Sequence, residues 1–237
     1  SVIQYGEIGP RTMGPIVRYI GSVDIGGTSI KYAINQEDKD GRRDVLHVTK
    51  EKPRKVTVKE FFAGVADGII GLIQFAEKQN PSIKLEDTIY VGSIGTFYAG
   101  LRKELQGTIQ VPVGVEKIFS DVAAYTYGEI HPAREIENAL KAKGYTGYTI
   151  IVGNDSSAWT LFIADMFRMY LKKTGQWPLA VGKKLLTVIL GTRLGVGVIN
   201  RLGDEMGMAQ IVTSQPLSDM IIPSVLMKRW MTFKVDG

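Results

Sequence analysis

The sequence of 237 residues predicts a mixed α/β fold in two lobes. Strand-like runs rich in Val, Ile, Tyr and Thr alternate with helical runs, which is typical of a partly parallel sheet covered on both faces. The strand pattern of residues 17–35 also returns at 184–200 with a second Gly-Thr pair in its turn. This repetition indicates an internal duplication, and we expect a ligand between the two lobes.

The first lobe is predicted over residues 1–155. Its elements in chain order are strands over 17–26, 28–35 and 44–50, a helix over 57–81, a strand over 88–95, irregular chain over 96–131, a helix over 132–144 and a strand over 148–155. Thr57 and Glu60 have the spacing of a capping box at the start of the first helix, and Pro81 marks its end. Gly144 is expected at the C-terminal cap of the second helix.

The second lobe is predicted over residues 156–237. A long helix over 156–175 carries a stripe of aromatic and aliphatic residues that we interpret as core packing. Strands follow over 184–192, 196–200 and 208–213, and the pattern of 218–231 leaves helix and loop open.

Composition excludes several classes of protein. Hydrophobic residues make up 44% and charged residues 22%, no run approaches about 18 apolar residues, and the first twenty residues lack the apolar stretch of a signal peptide. The absence of cysteine excludes disulfides and thiolate metal sites, so we expect a cytoplasmic protein with no membrane partner. The net charge of +5 is spread out, and the densest basic stretch, 49–55, has no interleaved aromatic residues. Nucleic acid is therefore not an expected partner.

The stretch VDIGGTSIKYAI, residues 23–34, is the first candidate for chemistry. Gly26 and Gly27 let the backbone approach a ligand closely, and their turn amides can donate to phosphate oxygens. Thr28 adds a hydroxyl, and Asp24 is placed at the strand end to hold a hydrated Mg²⁺. A tight hairpin turn with a capping Asp is the structural alternative.

A second turn of the same kind lies in LLTVILGTRLGVGVIN, residues 185–200. It again runs from a strand through Gly191 and Thr192 to a Gly-x-Gly and another strand. Two such hairpins, one in each lobe, could grip a polyphosphate from both sides.

The stretch GNDSSAW, residues 153–159, places Asn154 and Asp155 between a strand and the long helix. Asp155 is either the helix N-cap or, if Ser156 or Ser157 caps the helix, a carboxylate that faces the cleft. In the second case it can accept the proton of a hydroxyl whose oxygen attacks a γ-phosphorus.

The order of DIGGTSIKYAI, NDSSA, LGTRLGVGVI and GDEMG (203–207) resembles the ROK family of glucokinase-like sugar kinases and related repressors. That family belongs to the actin/hexokinase/Hsp70 superfamily, so the resemblance, which spans about residues 18–210, implies a two-lobed actin-like ATPase fold of the ribonuclease H-like type. It also implies ATP, Mg²⁺ and a small-molecule sugar as ligands. The residue roles that it implies are a first phosphate motif at Asp24, Gly26, Gly27, Thr28 and Lys31, a second at Gly191, Thr192, Arg193, Gly195 and Gly197, a catalytic base at Asp155, and sugar contacts at Asn154 and Glu205.

Several residues depart from the family pattern. Met208 stands where the family has a His, and the cysteines of the family's zinc site are absent, so no structural zinc is expected. Arg193 replaces a glycine and either clamps or blocks phosphate. About thirty residues follow Glu205, so the second lobe is expected to be shortened. A fragment, a reduced protein, a homo-oligomer or a second subunit that completes the lobe would each account for this.

The resulting hypothesis is ATP- and Mg²⁺-dependent phosphorylation of a hydroxyl of glucose or a related hexose or amino sugar, with Asp155 as general base. One alternative is a catalytically inactive pseudokinase or scaffold that binds sugar or nucleotide. Another is a kinase for a different small substrate, such as pantothenate.

Overall fold

The computed structural model describes residues 13–41, 43–79, 83–97, 102–110, 115, 118–125, 128–190, 193–203 and 208–216. The chain divides into two compact units, Ser1–Ala158 and Trp159–Gly237. This boundary lies three residues after the one expected from the sequence.

The first unit contains three strands, a helix, and then alternating strands and helices. The elements are β1 (Ile16–Ile25), β2 (Ile30–Asp38), β3 (Arg43–Glu51), α1 (Val58–Gln79), β4 (Leu85–Ser93), β5 (Thr96–Phe97), β6 (Ile109–Gln110), α2 (Pro132–Ala142) and β7 (Thr149–Asn154), followed by α3 (Asp155–Lys173), which crosses the boundary. The predicted order of strands and helices is confirmed. The stretch predicted as irregular contains the short β5–β6 pair, which had no periodic signal.

The main sheet has five strands in the order β3-β2-β1-β4-β7. The hairpins β1–β2 and β2–β3 are antiparallel, whereas β1–β4 and β4–β7 are parallel. The carboxyl ends of β1, β4 and β7 therefore meet at one edge of the sheet, and the predicted partly parallel sheet is confirmed.

One face of this sheet carries the hydrophobic core. Side chains from α1, such as Phe62 and Ile69, and from the strands, such as Ile34 and Ile89, are at most 1% exposed. The predicted capping box starts α1, since the Glu60 amide donates to Thr57 Oγ1 at 3.2 Å and the Thr57 amide donates to Glu60 Oε2 at 3.0 Å. The hydrogen bonds from Thr57 hold the pKa of Glu60 below its usual range.

The opposite face is open across its middle. The strand registers align Val48, Ala33, Ser22, Tyr90 and Ile151 in one row across all five strands. Val48, Tyr90 and Ile151 are 57%, 45% and 49% exposed. The predicted cover on both faces is therefore not found in the part of the chain that the structure describes.

Helix α1 approaches β2 closely at one glycine. A Cβ on Gly68 would overlap the ring of Tyr32, whereas a Cβ on Gly71, one turn later, would meet nothing within 4 Å. Tyr32 is buried and donates its hydroxyl to Glu51 Oε1 at 2.5 Å. Burial, together with this hydrogen bond, raises the pKa of Tyr32. The glycine at 68 is thus needed for packing.

The second unit contains the rest of α3, a short helix α4 (Trp177–Ala180), and the strands β8 (Leu185–Leu190), β9 (Arg193–Ile199) and β10 (Met208–Pro216). The strands form an antiparallel sheet in the order β10-β9-β8. Ala164, Ile199 and Leu202 are its buried apolar cluster. The three predicted strands are confirmed, with β10 longer than predicted. Within the described residues, no helix has the length and apolarity needed to cross a membrane.

We predict opposite effects for alanine at two glycines of α1. Gly68→Ala should lower the free energy of unfolding by about 2 kcal/mol, because the new methyl group overlaps Tyr32 in a packed core. Gly71→Ala, the matched control, should raise it by up to about 1 kcal/mol, because alanine favours the helix and meets no neighbour. Urea denaturation of both variants measures this, and equal effects would contradict the packing described for Gly68.

Candidate functional site

Asp24 lies at the carboxyl end of β1, next to the last residue of the strand. Lys31 is its cross-strand partner on β2, and Lys31 Nζ is 2.9 Å from Asp24 Oδ2. Both side chains are about half exposed, at 46% for Asp24 and 49% for Lys31. The predicted first phosphate motif therefore presents one carboxylate and one ammonium group to solvent, side by side.

The turn between β1 and β2 is short, and its tip is exposed to solvent. The Gly26 amide donates to the Ser29 carbonyl at 2.9 Å, which leaves Gly27 and Thr28 exposed at the tip. The amides of Gly27 and Thr28 have no hydrogen-bond partner among the described residues. These two amides are available to an incoming acceptor such as a phosphate oxygen.

Neither glycine of this turn is required by backbone strain. Gly26 and Gly27 are not among the described glycines with positive φ, and a Cβ on Gly27 would meet nothing within 4 Å. A Cβ on Gly26 would lie 3.1 Å from the Ser29 carbonyl oxygen, which is tight but local. A side chain at position 27 would thus project into open space.

The ends of the three parallel strands are tied together beside this turn. Ser93 at the end of β4 pairs with Ile25 and with Asn154. The amide of Ile94 donates to the Ile25 carbonyl at 3.1 Å, and the Asn154 side-chain amide donates to the Gly95 carbonyl at 2.8 Å. Asn154 is 4% exposed and Gly95 is half-buried, so this bond lies at the border of the core. As a sugar contact, Asn154 stays a prediction.

Asp155 is the first residue of α3, immediately after β7. A carboxylate in the first turn lies at the positive end of the helix dipole. Because neighbouring strands are spaced by about 4.8 Å, the ends of β1 and β7 are separated by about 10 Å. Asp24 and Asp155 thus belong to one edge of one sheet, with the end of β4 between them.

The second phosphate motif is only partly described. Gly191, Thr192 and Glu205 lie outside the described residues. The structure places Arg193 and Gly195 in β9, which starts three residues before the strand predicted over 196–200. A Cβ on Gly197 would overlap Thr160, which shares a hydrogen bond of 2.6 Å with Thr187. Packing within the second unit accounts for Gly197 without a ligand.

Gly95 is a site residue that the sequence analysis missed. It adopts a φ of 107°, and a Cβ there would lie 3.1 Å from Ile109 Cγ2. Only glycine fits this position comfortably, and its carbonyl then accepts the bond from Asn154. The available signal was a glycine two residues after a buried strand.

No protein-family model matches the chain, and no curated protein matches it either. The solved structures that are similar to it include a hexokinase, a glucokinase and a PPX-GPPA enzyme. A hexokinase from Schistosoma mansoni complexed with glucose has a TM-score of 0.47 at 13% identity, over 77% of this chain and 36% of that one. A glucokinase from Balamuthia mandrillaris in complex with glucose has a TM-score of 0.43 at 16% identity, over 83% of this chain and 47% of that one. The Aquifex aeolicus PPX-GPPA enzyme has a TM-score of 0.39 at 11% identity, over 79% of this chain and 50% of that one.

The mixed α/β fold class predicted from the sequence is confirmed, since the strands and helices of the five-stranded sheet follow one another in the order βββαβαβ. The chain spans half or less of the length of each of these three structures. Likeness at these identities and TM-scores concerns the fold and carries no argument about activity. Membership of the ROK family in particular is not shown.

We predict that Asn154 matters for folding because of its bond to Gly95. Asn154→Ala should lower the free energy of unfolding by about 1–3 kcal/mol, since it removes a buried amide and leaves the half-buried Gly95 carbonyl without this donor. Gln74→Ala is the matched control, because Gln74 is an exposed amide that donates to Tyr145 Oη at 3.1 Å. Urea denaturation compares the two, and an Asn154 variant as stable as the control would contradict the tie between the strand ends.

Proposed function

We propose that this protein transfers the γ-phosphoryl group of ATP to a hydroxyl of a sugar, in a Mg²⁺-dependent reaction with Asp155 as general base. The observation that carries the proposal is the shared sheet edge. Asp24 and two turn amides without a hydrogen-bond partner among the described residues lie at the end of β1, and Asp155 lies at the end of β7 on the same edge. The groups at the end of β1 suit a phosphate with its metal ion, and Asp155 at the end of β7 suits a hydroxyl group.

The residues at the end of β1 fit a hydrated Mg²⁺. Asp24 offers a half-exposed carboxylate, and no group of three or more metal-ligating side chains occurs in the part of the chain that the structure describes. Asp24 would therefore hold the ion through water, with phosphate oxygens as its other ligands, as Mg²⁺ commonly requires. When bound, Mg²⁺ neutralises charge on the transferred phosphoryl group.

Each of the protein's own groups then has a separate role in the phosphoryl transfer. The amides of Gly27 and Thr28 donate to phosphate oxygens, and Lys31 offsets their negative charge. Asp155 orients the sugar hydroxyl and accepts its proton as the hydroxyl oxygen bonds to the γ-phosphorus. The bond from that phosphorus to the bridging oxygen breaks, and ADP leaves with the electron pair.

The sugar as acceptor follows from the sequence resemblance, through Asp155, Asn154 and Glu205. Glucose and related hexoses or amino sugars are the proposed class. We further propose that the protein is cytoplasmic and acts as a homo-oligomer.

Binding without turnover is the second candidate. Asp24 already has an ion-pair partner in Lys31, and Gly197 is explained by packing against Thr160. Met208, which opens β10, replaces the histidine of the resembled family. A protein of this kind would hold sugar or nucleotide as a pseudokinase or scaffold.

We predict that ADP release from ATP and Mg²⁺ depends on a sugar and on Asp155. A coupled assay over a panel of hexoses and amino sugars should find an acceptor that stimulates release. Asp155→Asn should lower this turnover by roughly 10²-fold or more, because the amide cannot accept the proton. Affinity for ATP should stay close to that of the wild type.

Asp87→Asn is the matched control. Asp87 is exposed on β4, away from the edge where β4 ends. Its turnover should equal that of the wild type. Sugar-independent ATP binding, with no stimulated release and no effect of Asp155→Asn, would exclude the kinase and leave the binding protein.

A further inference from the structure

The residues that share a register position with Asp24 form a mixed row across the sheet. Lys50 on β3 pairs with Lys31 on β2, Lys31 pairs with Asp24, Asp24 pairs with Gly92 on β4, and Gly92 pairs with Gly153 on β7. We call these five residues the Asp24 row. Cross-strand partners project from the same face of a sheet, so the row lies on the open face at its carboxyl edge.

The two lysines of the row are unfavourably placed for the protein alone. Like charges directly opposite each other on antiparallel strands are destabilising. Lys31 is compensated by Asp24 at 2.9 Å, but Lys50 is exposed and has no ion pair with any described residue. One carboxylate thus faces two ammonium groups, and the row lacks one negative charge.

The other half of the Asp24 row consists of Gly92 and Gly153, which have no side chains. Gly153 is exposed, and a Cβ there would meet nothing within 4 Å. Glycine weakens a strand, and in a strand it often marks a close approach of a ligand to the backbone. The cations therefore lie on one side of Asp24 and open backbone lies on the other.

We propose that Lys50 is a binding residue for the phosphate chain of a magnesium-complexed polyphosphate ligand, which lies from Asp24 over Lys31 towards β3. This proposal rests on the proposed function, whose phosphate site it extends by one strand. Lys31 and Lys50 have backbones about 5 Å apart, so they can contact successive phosphate groups of one chain. The phosphate groups bring the negative charge that balances Lys50. The flexible side chain of Lys50 can reach them from the edge strand β3.

The direction of the chain also follows. Phosphate groups away from the transferred one extend towards β2 and β3, where the cations are. The acceptor hydroxyl then approaches over Gly92 and Gly153, on the side of Asp155. Because the lysines of the Asp24 row lie on one side of Asp24 and its glycines on the other, the phosphate donor and the hydroxyl acceptor occupy separate parts of one surface.

Isothermal titration of the full chain tests the role of Lys50, with Mg-ATP and magnesium tripolyphosphate as probes and adenosine as the phosphate-free control. Lys50→Ala should weaken both phosphate ligands by roughly five- to tenfold, and Lys50→Arg should stay within about twofold of the wild type. Lys39→Ala, at the opposite end of the β2–β3 hairpin, is the matched control and should bind as the wild type does. Unfolding of Lys50→Ala without ligand should need at least as much urea as the wild type, because the repulsion is removed.

The outcomes separate this proposal from the one that it rests on. Unchanged binding by Lys50→Ala, or an equal loss in Lys39→Ala, would overturn the role of Lys50 and leave it as a charge that keeps an edge strand from pairing. If the wild type binds neither phosphate probe, both proposals fail. If Lys50→Ala weakens binding but no sugar stimulates ADP release, the kinase fails and the phosphate site stands. Tripolyphosphate binding without ATP binding would identify an inorganic chain as the ligand.

Discussion

The burial of helix α1 against one face of the sheet is the interaction on which the first unit depends. Phe62, Ile69 and their neighbours remove a continuous apolar stripe from water, and the strands supply the matching surface. The same helix forms the crossover from β3 to β4, so its packing makes β4 parallel to β1. Without that crossover the carboxyl ends of β1, β4 and β7 would not share an edge.

The two faces of the sheet have different tasks as a result. The covered face holds Ile25, Ser93 and Asn154 in the interior, where they fix the strand ends. The open face holds Asp24 and its row at the same edge. Because side chains alternate along a strand, a neighbouring pair such as Ile25 and Asp24 serves the core and the candidate site respectively.

Much of this arrangement was readable from the sequence. The period of α1, its capping box and the β-branched strands are local signals, and each was confirmed because local propensity and burial agree. The positions of Asp24 and Asp155 beside strand ends were also predicted correctly, since an acid beside a strand end is a short-range pattern. What failed was long-range, namely the predicted cover over the second face of the sheet.

The sequence by itself therefore determined the elements, their order and the positions of Asp24 and Asp155 at the ends of β1 and β7. Only the tertiary structure decided which strand lies beside which, and with what register. That choice depends on side chains far apart in sequence, such as Ile34 and Ile89, packing against one helix. It placed Lys50 in line with Asp24, and it buried Asn154 against Gly95, because register and burial are properties of the assembled sheet and not of any one strand.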